Sequence, residues 1–273
     1  MSQELKSIIQ SFKYDKDPDV KVKSKDARVR KNSPTGRKLN SRKMTKSVVT
    51  DTTKLPDLGP SLSSNLTVLF VGFNPGVQSS IQQHHYAHHS NLFWKLFNQS
   101  RILERMVAKG RITNVGLQND RVLNNFLKNG CSAKDDFDLV TYGIGFTDLA
   151  LRCTATAAEL TNDEKLDNIP RLLQEIEFSN AKNVVFIGKG IWEMVVKYFS
   201  LRLGIKVKLD KVNFRWGKIE VGIDERYNGI IDQISSQIPR ETAIHVFPST
   251  SGLVASMSFQ EKLQLWQNLS DSI

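Results

Sequence analysis

The sequence predicts an α/β fold of three layers, α/β/α, with a mostly parallel central sheet and a disordered basic tail ahead of it. Short apolar runs bounded by Gly, Pro or Asn recur from Leu66 onward, and segments of helical length separate them. That alternation belongs to strand–helix–strand units, which bury a parallel sheet between two helical layers. Charge is split along the chain as well. Residues 1–60 hold 15 of the 38 Lys and Arg and 7 of the 28 Asp and Glu, a net of +8 out of +10 for the whole. A tail over 1–62 and a folded domain over 63–273 follow.

The tail has no aromatic residue after Tyr14 and no sustained apolar period, so it cannot bury enough surface to fold. "KVKSKDARVRK" and "GRKLNSRK" suit phosphate backbones or a nuclear address, as a weak, salt-sensitive, sequence-blind hold on DNA. Strands are expected at Thr67–Val71, Leu139–Thr141, Asn183–Ile187, Lys218–Gly222 and Thr242–Phe247. Helices are expected at Asn91–Gln99, Asp120–Asn129, Thr161–Phe178, Ile191–Phe199 and Ser258–Leu269. Thr161 reads as an N-cap, with Glu164 three residues on completing a capping box.

At 273 residues and 40% hydrophobic content, the chain can build one sizeable core. No run approaches the roughly 18 apolar residues that span a bilayer, so no membrane partner is expected. The N-terminus lacks the basic-then-apolar order of a signal peptide, which points to an intracellular protein. Two cysteines, Cys131 and Cys153, cannot build a disulfide framework or hold an iron–sulfur cluster.

In α/β folds ligands gather beyond the carboxyl ends of the strands. Three unusual segments leave strands there: "GFNPG", "YGIGFTDLALRCT" and "FPSTSGLVAS". Gly72-Phe73-Asn74-Pro75-Gly76 is not a dinucleotide fingerprint, because Asn74 and Val77 stand where Gly is needed. It is not a Walker loop, because Val77-Gln78-Ser79 offers no Gly-Lys-Ser/Thr. Nor is it the Asn-Pro-Pro-aromatic of amino-methyltransferases, since Gly76 follows Pro75. His84, His85, His88 and His89 form two i,i+4 pairs, a spacing that can bind zinc. No Cys, Asp or Glu stands near them in sequence, so DNA contact or loop packing is expected instead, with no metal and no cofactor.

Together with "HHYAHHSNLFWKLF" and "VVFIGKGIWE", these segments are collinear over roughly residues 66–269. They resemble the mismatch-specific uracil/thymine DNA glycosylases. The resemblance implies a uracil-DNA-glycosylase-like fold and a monofunctional enzyme that flips a nucleotide from the duplex and releases its base by hydrolysis. It implies action on uracil opposite guanine, with thymine and other damaged bases open, and double-stranded DNA with mismatched or damaged bases as the partner; a monomer is expected, and the basic tail points to the nucleus. Asn74 then corresponds to the family's catalytic asparagine and Thr147 to its water-holding threonine. Gly72, Phe73, Tyr86 and Asn91 would form the base pocket, Tyr86 by stacking and Asn91 by bonding the base or bracing its loop. Pro248, Ser249 and Thr250 would pinch the phosphates, and Leu253, within Ser251-Gly252-Leu253, would wedge into the gap left by the flipped nucleotide. No Lys stands beside Asn74 as an amine nucleophile, so no lyase step is expected. "RITNVGLQND" and "LRLGIKVKLDKVNFRWGK" are spacers that the resemblance leaves unexplained. The alternatives are a non-catalytic mismatch or chromatin-binding protein on the same fold, and an unrelated nucleotide-processing α/β enzyme.

Overall fold

A computed structural model describes residues 52–112, 120–252 and 257–273. The tail segments, part of the first spacer and Leu253 lie outside them. Packing is already present ahead of the expected boundary at 62: Leu58 is buried, and Ser61 exchanges two backbone hydrogen bonds of 2.8 Å with Phe146.

The sheet is built from β1 (Val68–Gly72), β2 (Ile144–Asp148), β3 (Asn183–Ile187), β4 (Gly217–Lys218) and β5 (Ala243–Phe247), in the order β2-β1-β3-β5-β4. All pairings are parallel except that of the two-residue edge strand β4 with β5. Val71 stands opposite Thr147, and Gly72 opposite Asp148.

Because successive strand residues point to opposite faces, one stripe of each strand feeds each helical layer. Val68, Phe70, Phe146, Val185 and Phe247 pack with α2 (Phe93–Ser100), α3 (Ile102–Ala108), α4 (Arg121–Asn129) and α9 (Phe259–Ser272). Leu69, Val71, Val184, Phe186 and Val246 pack with α5 (Asn162–Asp167), α6 (Ile169–Ser179), α7 (Lys189–Leu203) and α8 (Glu225–Ser235). The expected three layers are present. Among the described residues no helix is long and apolar enough to cross a membrane.

Three expected elements differ. Leu139–Thr141 is a 3-10 turn, Leu139–Tyr142, closed by Gly143 at φ +79°; the second strand follows it as Ile144–Asp148. A short apolar run cannot be assigned by periodicity alone, and the left-handed residue, which only Gly adopts freely, sets the boundary. The strand expected at Lys218–Gly222 contracts to Gly217–Lys218. The long helix Thr161–Phe178 breaks at Asn168, because Pro170 has no N–H to continue the ladder and fits only a first turn. Its capping box is half made: Thr161 accepts the Glu164 N–H, but the Glu164 carboxylate pairs with Arg152 at 2.7 and 3.0 Å. Three helices were not anticipated: α1 (Val77–Gln82), α3 and α8.

Trp266 of α9 is fully buried, with its ring centroid 5.2 Å from Phe70, 5.1 Å from Phe93 and 5.7 Å from Phe247. Trp266→Ala is expected to cost about 3–5 kcal/mol of unfolding free energy, read from urea denaturation.

Candidate active site

The carboxyl ends of β1, β2, β3 and β5 open into one cleft of about 880 Å³. Pairing of β1 and β2 continues beyond the sheet. Leu149 N donates to Gly72 O at 2.8 Å, Ala150 N to Phe73 O at 3.1 Å and Thr154 N to Pro75 O at 3.2 Å. Residues 148–154 are therefore held beside the turn Gly72–Gly76, far away in sequence.

Asn74 is half-buried at the cleft wall. Its Nδ2 donates to Thr154 Oγ1 at 2.7 Å, Arg152 O at 3.1 Å and Pro75 O at 3.3 Å. With the amide nitrogen taken up by three acceptors, the sp² plane fixes Oδ1, an acceptor that cannot take a proton at neutral pH. This end of the amide can orient water.

Thr147 does not stand there. It is fully buried, and its hydroxyl donates to Glu175 Oε2 at 2.7 Å on the opposite side of the strand. Thr147, the threonine expected to hold water, is therefore set apart from Asn74, whereas Thr154 touches Asn74 and lines the cleft. Glu175 also takes the Arg171 guanidinium at 2.5 Å, and Arg171 in turn donates to the carbonyls of Asp148 and Leu149 at 2.7 and 2.8 Å. Thr147 is a strut of that brace.

One residue on, alternation turns Asp148 to the cleft side. Its Oδ1 would lie 2.0 Å from a Cβ placed on Gly72, and Tyr86 Oη 3.1 Å from the same point. Gly72 thus makes room for a carboxyl and a phenol rather than lining the cleft itself. Burial pushes the Asp148 carboxyl up to about 6, partly opposed by His85 and Arg171. Burial, with the charge of Asp148, also raises the Tyr86 phenol well above its ordinary value, and its Oη is buried with no hydrogen-bond partner.

Tyr86 sits at φ +55°, with one ring face stacked on Phe93 at 3.9 Å and 2°. The clamp that holds it there is Asp136, fully buried. Asp136 accepts from or faces His84 Nδ1 at 2.8 Å, His85 Nδ1 at 2.7 Å and the His85 N–H at 2.7 Å. Burial alone would raise the Asp136 carboxyl, but these histidine bonds outweigh it and leave it lowered. Two of the four clustered histidines therefore pack the loop through an acid remote in sequence. Among the described residues no group of three or more His, Cys, Asp or Glu is placed to hold a metal.

Phe73 lines the cleft against Gly190, and Asn91 lines it while its Oδ1 accepts the Phe93 N–H at 2.9 Å, a bracing bond. Ser249, Thr250, Ser251 and Gly252 line the same cleft; Pro248 is not on its wall. Thr250 O accepts the Leu92 N–H at 2.8 Å, and the buried Lys262 amine donates to Ser249 O at 2.8 Å, so this loop is fastened from two sides. Lys189, Gly190 and Trp216 complete the rim, and the Lys189 amine is turned to Leu209 O at 3.1 Å and Glu193 at 3.2 Å. Asp148 and Thr154 both lie in "GIGFTDLALRCT", where the sequence alone points to Thr147. Strand alternation counted from Ile144 is the signal that would have found Asp148.

The family model described as "Uracil DNA glycosylase superfamily" matches residues 60–270. A G/U mismatch-specific uracil DNA glycosylase from Schizosaccharomyces pombe is 28% identical over 213 residues, covering 78% of this chain and 52% of that relative. The chain thus spans about half the length of the curated relative it matches.

A buried carboxyl raised from 3.8 to about 6 contributes stability that is full below 3.8 and lost as pH rises through 6. Asp148→Asn is expected to remove that loss and to be more stable than the wild type by about 2–3 kcal/mol at pH 7.5. The difference should shrink toward pH 4 in thermal unfolding followed across pH.

Proposed function

The chain belongs to the uracil DNA glycosylase superfamily, and on that premise we propose that it is a monofunctional DNA N-glycosylase that releases uracil from G·U pairs. The observation that carries this is the Asn74 amide. It is fixed by Thr154 and Arg152 at the wall of a cleft whose floor holds Asp148 and Tyr86. A flipped uracil presents a carbonyl beside an imide N–H. The ionised Asp148 accepts from the N–H and the Tyr86 hydroxyl donates to the carbonyl. Cytosine, with a lone pair in place of that N–H, meets the carboxylate unfavourably.

In the reaction the bond from C1′ to the base nitrogen breaks, and its electron pair leaves on the base. A water oriented by Asn74 Oδ1 and Thr154 Oγ1 bonds to C1′, and its proton passes to solvent because the amide cannot take it. Rate then depends on positioning and leaving-group quality, which gives slow turnover. The occupied amine of Lys189 supports hydrolysis without a Schiff base. Thymine opposite guanine is a further proposed substrate. Ser249–Gly252 are proposed to grip the phosphates, and Leu253, next in sequence, to fill the gap in the stack. A nuclear location and a monomeric state are proposed, the first from the basic tail.

The test is single-turnover incubation of the full chain with a duplex carrying one G·U pair, EDTA present, beside Asn74→Ala. Uracil release by the wild type and a loss of at least about a hundredfold in the variant are expected. Tight binding by both with no base released would instead establish a mismatch reader.

A further inference from the structure

The segment between α7 and β4 takes no part in the chemistry above, yet its last residue, Trp216, lines the cleft. After the α7 cap at Gly204, Leu209 and Phe214 anchor it in the core. Lys189, at the start of α7, fastens it at the rim: its amine lies 5.0 Å above the Phe214 ring and donates to Leu209 O at 3.1 Å. Trp216 packs edge-to-face on Phe214 at 5.1 Å and 80°, and lines the same cleft as Asn74 and Phe73. The segment also exposes Lys206, Lys208, Lys211, Arg215 and Lys218, against Asp210 as its one acid before Glu220.

This is more than one flipped base requires. A cleft of about 880 Å³ lies near the top of the range of about 300–1,000 Å³ that takes whole drug-sized ligands. A half-buried aromatic on the cleft wall, with a run of exposed cations beside it in the chain, matches the surfaces that follow a nucleic-acid strand. On such surfaces bases stack on rings and phosphates meet the charge.

We infer that Trp216 is a second stacking platform, which receives a base neighbouring the flipped nucleotide on the damaged strand, while the basic segment 206–218 follows that strand's phosphates. The inference rests on the DNA-glycosylase reading. The occupant is DNA because the segment's charge is strongly positive and the cleft it borders is the one that holds Asn74.

The full chain is titrated with a G·U duplex carrying 2-aminopurine on either side of the uridine. For the wild type, fluorescence at one of the two positions should be quenched on binding, and Trp216→Phe should retain the quench. Trp216→Ala should lose it and bind about tenfold more weakly, the effect of losing one stacked base. A second variant guards against a folding defect: Lys206, Lys208 and Lys211 replaced by Gln should make the dependence of log Kd on log salt shallower by about two or more. Wild-type quenching and affinity in Trp216→Ala, or an unchanged salt slope in the triple variant, would overturn the inference while uracil release by the wild type still stood. A wild type that neither releases uracil nor binds the duplex would overturn the glycosylase reading itself.

Discussion

The site depends on the parallel pairing of β1 with β2 running on past the end of the sheet. Three backbone hydrogen bonds, from Leu149, Ala150 and Thr154 to Gly72, Phe73 and Pro75, hold two loops side by side where the strand register ends at Gly72 and Asp148. Everything chemical follows from that register. It sets Thr154 against the Asn74 amide, and it turns Asp148 over Gly72. A slip of one residue would exchange Thr147 for Asp148 across the sheet and empty the cleft of its carboxyl.

Polar groups this deep need support, and each has it from a different layer. Arg171 and Glu175, on α6, hold the β2 end by its carbonyls and by Thr147. Asp136 clamps His84 and His85 so that Tyr86 can hold its left-handed backbone with its ring on Phe93. The aromatic layer around Phe70, Phe93 and Trp266 then provides a rigid backing for that ring. Asp148 and Tyr86 remain the strained members, an acid raised by burial beside an unpartnered phenol. Such an arrangement costs stability and suits a site that waits for a hydrogen-bonding ligand.

The layers were legible because strand and helix periods are local properties. Thr67–Val71, Asn183–Ile187 and Thr242–Phe247 each fall within a residue of an observed strand. The turn at Asn74 was legible because Pro75 and Gly76 leave the chain few other conformations. What escaped was phase and long-range pairing. Placing the second strand at Leu139–Thr141 left "GIGFTD" as a loop, so nothing ruled on which of Thr147 and Asp148 faced the cleft. Asp136 could not be linked to the histidines, since 51 residues separate it from His85 in the chain. Trp216 was left in a spacer because only the fold brings it to the rim.

The central claim is that Thr154, and not Thr147, works with Asn74. The most direct measurement is uracil release at saturating enzyme from a G·U duplex by Thr154→Val and Thr147→Val, with each variant's unfolding followed in parallel. Thr154→Val is predicted to fold like the wild type and release uracil at least about tenfold more slowly, as expected when a positioning hydroxyl is lost. Thr147→Val is predicted to lose stability while its folded fraction keeps the wild-type rate. Full activity in Thr154→Val, with activity lost in a stably folded Thr147→Val, would contradict the account.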